Sequence, residues 1–294
     1  MKKAYLGIGH NYNNSDYFLP DCELDAQRMS DLYQSKGYDA YLFTEMTIQQ
    51  FKKIIAELIA MQLDEVVIYY SGHGTQLYDS QSTEQDKYEE ALCFWNGKSI
   101  ELLYDQDFAD LAASVAPSVT VIMDCCHSGG MSRNVLKPGH RAKSLQYDKT
   151  MQVSRVAIPK SQSLPLFVFA SQESQLSYST GDGGAFTKVF LVAIESGMTQ
   201  AKEITDYAAE MISFQTANYV GDGKKKVISK KGEIEAVAII EESKINEALL
   251  SDGYYDIEGA GRLELHKAWN KVRVRLNPTK EFQKQLEKNW LDKL

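Results

Sequence analysis

Six short, almost uninterrupted apolar runs punctuate the chain, with helix-patterned segments between several of them, and this alternation restricts the fold more than any other feature. The runs are AYLGIG (4–9), YDAYLF (38–43), EVVIYYS (65–71), ALCFW (91–95), VTVIMDC (119–125) and LFVFAS (166–171). Their near-continuous hydrophobicity reads as strands buried on both faces. In LDAQRMSDLYQSKG (24–37), Leu24, Met29, Leu32 and Tyr33 can share one helix face, and Gly37 can close the C-terminus. TIQQFKKIIAELIAMQL (47–63) reads as a second helix with Thr47 as its N-cap. The pattern predicts an α/β fold, a mainly parallel sheet with helices on both faces, in which ligands bind at the carboxyl ends of the strands.

With 294 residues the chain can hold one large domain plus an appendage. After the sixth run comes GDGGAFTKVFLVAIESG, a Gly-rich turn leading into an apolar helix that ends near Gly197. A helix over 199–215 and a last strand, EIEAVAII (233–240), follow. The expected division is a domain over 1–240 and a polar, partly helical appendage over 241–294. Within the first domain, between a larger N-terminal and a smaller C-terminal portion, lies 131–163, which has no sustained period and carries Arg133, Lys137, Arg141, Lys143, Lys149, Arg155 and Lys160. It reads as a long basic loop, and a loop of that length inside a compact domain is usually functional or disordered.

Thirty-two basic residues against 40 acidic ones give a net charge of -8, which argues against a nucleic-acid partner and suits a cationic substrate. No run approaches the length of a membrane span, so no membrane partner is expected. Cysteines at 22, 93, 125 and 126 make a poor disulfide framework, which points to a reducing cytoplasm. The N-terminal segment lacks a signal-peptide core, and the fold is expected to start at once, with no pro-region.

Two polar segments fall at predicted strand ends. YYSGHG closes the third run and MDCCHSGG closes the fifth, so both face the same crevice. A thiol attacks as thiolate and needs an imidazole to take its proton, together with N–H donors for the developing oxyanion. His73, between Gly72 and Gly74, has room for a substrate backbone beside it. Cys126 precedes a Ser-Gly-Gly turn whose amides can point into the same space. Asp124, two residues before Cys126, projects to the same side of an extended chain and can pair with a basic side chain.

YYSGHGTQ and VIMDCCHSGG together resemble the His and Cys signatures of the metacaspase branch of the caspase family. DCELDA (21–26), EEALCFW (89–95) and FASQESQLSY with GAFT are weaker echoes in the family's order, covering about residues 3–200. The 53 residues from His73 to Cys126 agree with caspase spacing. The resemblance implies a three-layer α/β/α sandwich on a six-stranded sheet, with His73 as general base and Cys126, rather than Cys125, as nucleophile. It places the oxyanion donors on the amides of Gly74 and Cys126, and the S1 pocket on Cys22, Asp25 and Ser71 beside Asp124. It further implies cleavage of protein or peptide substrates after Arg or Lys through a thioester. None of the matched pocket positions is basic, as cleavage after Asp would need. The basic loop then becomes a candidate site of self-processing.

Many metacaspases bind calcium, and hard cations want several oxygen ligands. The matching stretches here offer Glu89, Asp105, Gln106 and Asp107, but Arg133 stands where an acid belongs. Activity without calcium or any other cofactor is therefore expected. Three alternatives stay open: a zinc site built from His73, Cys125, Cys126 and His127, disfavoured because adjacent ligands are geometrically awkward; a catalytically silent caspase-like binding or regulatory module; and a clostripain-like or separase-like peptidase. Regulation by a protein partner also stays open.

Overall fold

In the computed structural model the described residues are 2–78, 87–126, 141–148, 150–154, 165–172 and 175–229, with the backbone of 254–257 and 261–264. Two compact units divide the chain, Met1–Ser229 and Lys230–Leu294. In the second unit the description covers an antiparallel pair, Tyr254–Ile257 with Gly261–Glu264. The expected last strand at 233–240 lies outside the described residues.

The first unit runs β1 (Lys3–Gly9), α1 (Cys22–Ser35), β2 (Asp39–Thr44), α2 (Ile48–Ala60), β3 (Glu65–Ser71), β4 (Gly74–Tyr78), β5 (Tyr88–Trp95), β6 (Ile100–Tyr104), α3 (Asp105–Ala113) and β7 (Ser118–Asp124). It continues through β8 (Arg141–Ala142), β9 (Gln152–Ser154), β10 (Leu166–Phe169), β11 (Tyr178–Ser179), α4 (Ala185–Glu195), α5 (Ala201–Met211) and β12 (Asn218–Val220). The main sheet has six strands in the order β12-β10-β7-β3-β1-β2. Its pairings are parallel except at β12, which closes the edge antiparallel to β10.

The central strands divide their side chains by the period of two that an extended chain imposes. Leu6, Ile8, Val66, Ile68, Tyr70, Val121 and Met123 join a core with Phe51, Ile55 and Leu58 of α2 and Phe108 of α3. Tyr5, Val67, Tyr69 and Ile122 join the opposite core with Met29 and Tyr33 of α1, Phe186 and Phe190 of α4, and Ile204 and Ala208 of α5. Both faces are thus dry, and each fully buried Leu, Ile or Phe contributes about 1.5–3 kcal/mol. The result is the three-layer α/β/α sandwich that the alternation implies.

Local signals fix the helix ends. Gln50 N donates to Thr47 Oγ1 (3.1 Å) and Thr47 N donates to Gln50 Oε1 (2.8 Å), a reciprocal capping box that stabilises by about 1 kcal/mol. Gly37 takes a positive φ of 83° just beyond α1, a conformation open to a residue without a Cβ.

Two expectations need correction. The ALCFW run is not in the main sheet: it belongs to β5, which pairs antiparallel with β4 and β6 in a separate four-stranded sheet. There Ala91, Cys93 and Trp95 cover a third apolar cluster with Tyr12, Leu77 and Leu102. The basic stretch is also not loop throughout. Arg141 and Ala142 form β8 against β11, and Gln152–Ser154 run parallel to β6. Arg133, Lys137, Lys149, Arg155 and Lys160 lie outside the described residues.

Candidate active site

β3 and β7 are neighbours, and the pairing register sets Ser71 opposite Asp124 at their carboxyl ends. The loops that follow carry His73 and Cys126. The His73 backbone is clamped by two buried tyrosines: its N–H donates to the Tyr12 hydroxyl (2.7 Å) and its carbonyl accepts from the Tyr70 hydroxyl (2.9 Å). The ring Nε2 lies 2.8 Å from the Tyr17 carbonyl oxygen. Only an N–H can satisfy that carbonyl, so Nε2 carries the proton and Nδ1 keeps its lone pair. Nδ1 is buried and without a hydrogen-bond partner.

The remaining members of the site converge on one residue of the basic stretch, Lys143. Its carbonyl oxygen accepts from the amides of both Gly74 (3.1 Å) and Cys126 (3.2 Å). Its own N–H donates to the Ser177 carbonyl (2.9 Å). The ammonium group is fully buried and lies 3.1 Å from Asp124 Oδ1, 3.3 Å from Asp25 Oδ2 and 3.0 Å from Ser71 Oγ. Burial alone would depress this ammonium, but Asp124 and Asp25 outweigh it and hold the group charged. Burial pushes the Asp25 carboxyl upward against the pull of the same ammonium.

The thiol of Cys126 receives the Ser177 N–H (3.1 Å) and sits 3.6 Å from the Ser177 carbonyl. Burial pushes it up to about 12, while burial drives His73 down to about 4. In the intact chain both groups are therefore neutral near neutral pH. The Lys143 backbone bears on both, raising the imidazole and lowering the thiol.

The structure brings together His73, Gly74, Cys126, Asp25, Ser71 and Asp124. Cys22 opens α1 and lies in the wall, where the Ser71 hydroxyl bears on its thiol; burial pushes that thiol to about 12. Cys125 points away into the core with Val121 and Phe94. Glu89 is on β5, and Asp105 and Asp107 are in the first turn of α3. Among the described residues no group of three or more His, Cys, Asp or Glu is placed to hold a metal ion, and His127 lies outside them.

Four contributors were not singled out from the sequence. Ser177 Oγ donates to Asp124 Oδ1 (2.7 Å) and Thr187 Oγ1 to Asp124 Oδ2 (2.6 Å). Gly184 N donates to both oxygens of Asp25 (2.9 Å each). A Cβ at Gly184 would collide with Asp124 and stand 2.7 Å from both Asp25 Oδ2 and Lys143 Nζ, so only glycine leaves the pocket open. Lys143 was one basic residue among seven. Ser177, Gly184 and Thr187 do fall inside the FASQESQLSY and GAFT region, which was the available signal.

A sandwich that presents a histidine loop and a cysteine loop at adjacent parallel strand ends is of the caspase type. The caspase-domain model of the peptidase C14 group matches residues 2–241, and the chain belongs to that family of cysteine peptidases. It is 33% identical over 148 residues to metacaspase-4 of Arabidopsis thaliana, covering 44% of this chain and 34% of that protein. Over 145 residues it is 30% identical to metacaspase-1 of Cryptococcus neoformans var. neoformans serotype D, covering 44% of this chain and 32% of the relative. The match thus spans about a third of the length of these relatives. A crystal structure of a Geobacter sulfurreducens protein shares the fold at a TM-score of 0.64 and 22% identity, covering 79% of this chain and all (100%) of that one. Among the described residues no helix is long and apolar enough to cross a membrane.

Proposed function

We propose that the chain is an endopeptidase that cleaves after Lys or Arg with Cys126 as nucleophile and His73 as general base, and that it cleaves itself between Lys143 and Ser144. One observation carries the reading. A single lysine has its carbonyl oxygen on the Gly74 and Cys126 amides, at 3.1 and 3.2 Å, while its ammonium lies between Asp25 and Asp124. That is how a substrate residue must lie for attack at its carbonyl carbon, with the oxyanion donors already in place.

The chemistry follows from this arrangement. As Sγ of Cys126 bonds to the Lys143 carbonyl carbon, its proton passes to Nδ1 of His73, and the negative charge forms on the oxygen held by the two amides. Collapse breaks the Lys143–Ser144 C–N bond, and Nδ1 returns the proton to the Ser144 nitrogen. A thioester and a free amine result. Water, deprotonated by the same Nδ1, then hydrolyses the thioester, restoring the thiol and leaving Lys143 with a carboxylate. With thiol and imidazole both neutral beforehand, proton transfer accompanies attack.

On this reading the intact chain is held back by its own segment, which fills the pocket that other protein substrates must enter. The reaction proceeds without calcium: Arg133 stands where an acidic ligand would be needed, and the chemistry above requires no Lewis acid. A chelator-sensitive activity restored by calcium would overturn that part. Four reduced, buried cysteines fit a reducing compartment.

The test combines fluorogenic peptides bearing Lys, Arg or Asp at P1 with mass analysis of the incubated protein. Wild type should cleave the Lys and Arg peptides and yield fragments ending at Lys143 and starting at Ser144. Cys126→Ala should do neither. Equal peptide turnover by both proteins would refute the assignment, and an intact wild-type chain that cleaves peptides would refute self-processing.

A further inference from the structure

The segment around Lys143 extends well beyond the residue in the pocket, and each side of it meets a distinct surface. Upstream, Arg141 and Ala142 pair antiparallel with Ser179 and Tyr178, so the segment adds a strand to β11. The Arg141 guanidinium donates through Nη1 to the Phe18 carbonyl (2.9 Å) and lies over the Phe18 ring, 6.0 Å from its centroid. Downstream, Leu145 N donates to the Gly74 carbonyl (3.0 Å), and the Leu145 carbonyl accepts from Thr75 Oγ1 (2.8 Å). The Leu145 side chain packs on the apolar cluster that includes Tyr12, Leu77, Ala91 and Trp95.

Main-chain pairing of this kind gives affinity without regard to sequence, and the side-chain contacts give selectivity. Counting from the bond after Lys143, Arg141 is P3 and Leu145 is P2′. We infer that the enzyme reads protein substrates over at least five positions, with a basic residue at P3 held by Phe18 and an apolar residue at P2′ held by the cluster beneath β4 and β5. This rests on the reading of 141–145 as a docked substrate. It adds two selective contacts to the P1 requirement and makes Phe18 a specificity-determining residue.

The position of Phe18 gives the contact a second meaning. Tyr17, its neighbour, supplies the carbonyl that fixes Nε2 of His73. A P3 guanidinium seated on Phe18 therefore presses on the same short segment that orients the general base. The loss of a P3 basic side chain should lower kcat as well as raise KM.

The test uses internally quenched peptides with the core Arg-Ala-Lys-Ser-Leu and the full-length wild-type protein. Replacing the P3 arginine by alanine should lower kcat/KM by about tenfold, the worth of a charge-assisted hydrogen bond with a cation–π contact, and glutamate there should lower it further. Serine at P2′ should lower it several-fold. In Phe18→Ala the ratio of rates for P3 arginine over P3 alanine should shrink, a readout that a general loss of folding would not move. As an independent measure, self-cleavage of Arg141→Ala should be slower than that of wild type, because the exposed side chain is in contact with Phe18 and not with the core. Cleavage that needs P1 lysine yet is indifferent to P3 and P2′ would overturn this inference and leave the proposed function standing. If the parent peptide and the chain itself both stay uncut, the proposed function falls and this inference with it.

Discussion

The ammonium of Lys143 lies 3.1 Å from Oδ1 of Asp124, and both side chains are fully buried. Removing one partner from a buried pair leaves an uncompensated charge, which costs about 3–5 kcal/mol. Asp124→Asn should therefore stop self-cleavage and lower kcat/KM for P1-lysine peptides by more than about a hundredfold. Steady-state kinetics read the effect directly, and wild-type kinetics in this variant would remove Asp124 from the pocket.

Gly184→Ala should act by a different route. Its φ of -64° suits any residue, so the backbone is unstrained and the effect is one of space. The added methyl intrudes between the Asp25 and Asp124 carboxylates and the Lys143 ammonium. Overpacking of this sort costs about 1–3 kcal/mol, roughly five- to 150-fold in selection for a basic P1 side chain. The check is the ratio of rates for P1-lysine and P1-norleucine peptides, which should fall in the variant.

The adjacent cysteines should separate cleanly. Cys125 is buried in the core on the α2 side, and burial pushes its thiol well above the ordinary range. Cys125→Ala should keep peptide turnover within about a factor of two and lower stability by roughly 1 kcal/mol. Cys126→Ala should be inactive. Alkylation with iodoacetamide followed by peptide mapping offers a second view: once Lys143 has left the pocket, the label should fall on Cys126.

Acid should weaken the fold through two buried imidazoles. Burial holds His10 down to about 3 and His73 down to about 4. In the unfolded chain both bind protons near pH 6.5. Between about pH 6.5 and 4 the unfolded state therefore holds more protons, and stability falls as pH falls, by up to about 1.4 kcal/mol per pH unit for each group. Above pH 6.5 the contribution is fully present. Urea denaturation of Cys126→Ala at pH 7 and pH 5 should show the loss, partly offset by the raised Asp25 carboxyl, which takes up a proton in the folded state over the same range, and His10→Leu should make the slope shallower.

Much of the sandwich was legible because β1, β3 and β7 are buried on both faces and so read as continuous apolar runs. The same signature misled at ALCFW: hydrophobicity reports burial, and β5 is buried in a different sheet. β12 left no signal, since three residues with Asn218 and Val220 exposed cannot form an apolar run. His73, Cys126 and Asp124 were legible as candidates because each lies at or just beyond a strand end, where the structure also places them. Ser177 acts through its amide and carbonyl as well as its hydroxyl, and Gly184 through its amide and its lack of a Cβ, and neither residue is marked by the end of an apolar run. Lys143 was hidden for a related reason, because its place depends on the path the chain takes back across the crevice.

The parallel ladder between β7 and β10 has a consequence for how a cut chain would look. The bond after Lys143 lies between these two strands in sequence, yet they remain paired from Leu166 with Thr120 to Phe169 with Met123. The halves share one sheet and both of its cores, so scission there severs connectivity without releasing either piece. A nicked molecule should elute from a sizing column as the intact one does, and only denaturant would reveal that it had become two polypeptides.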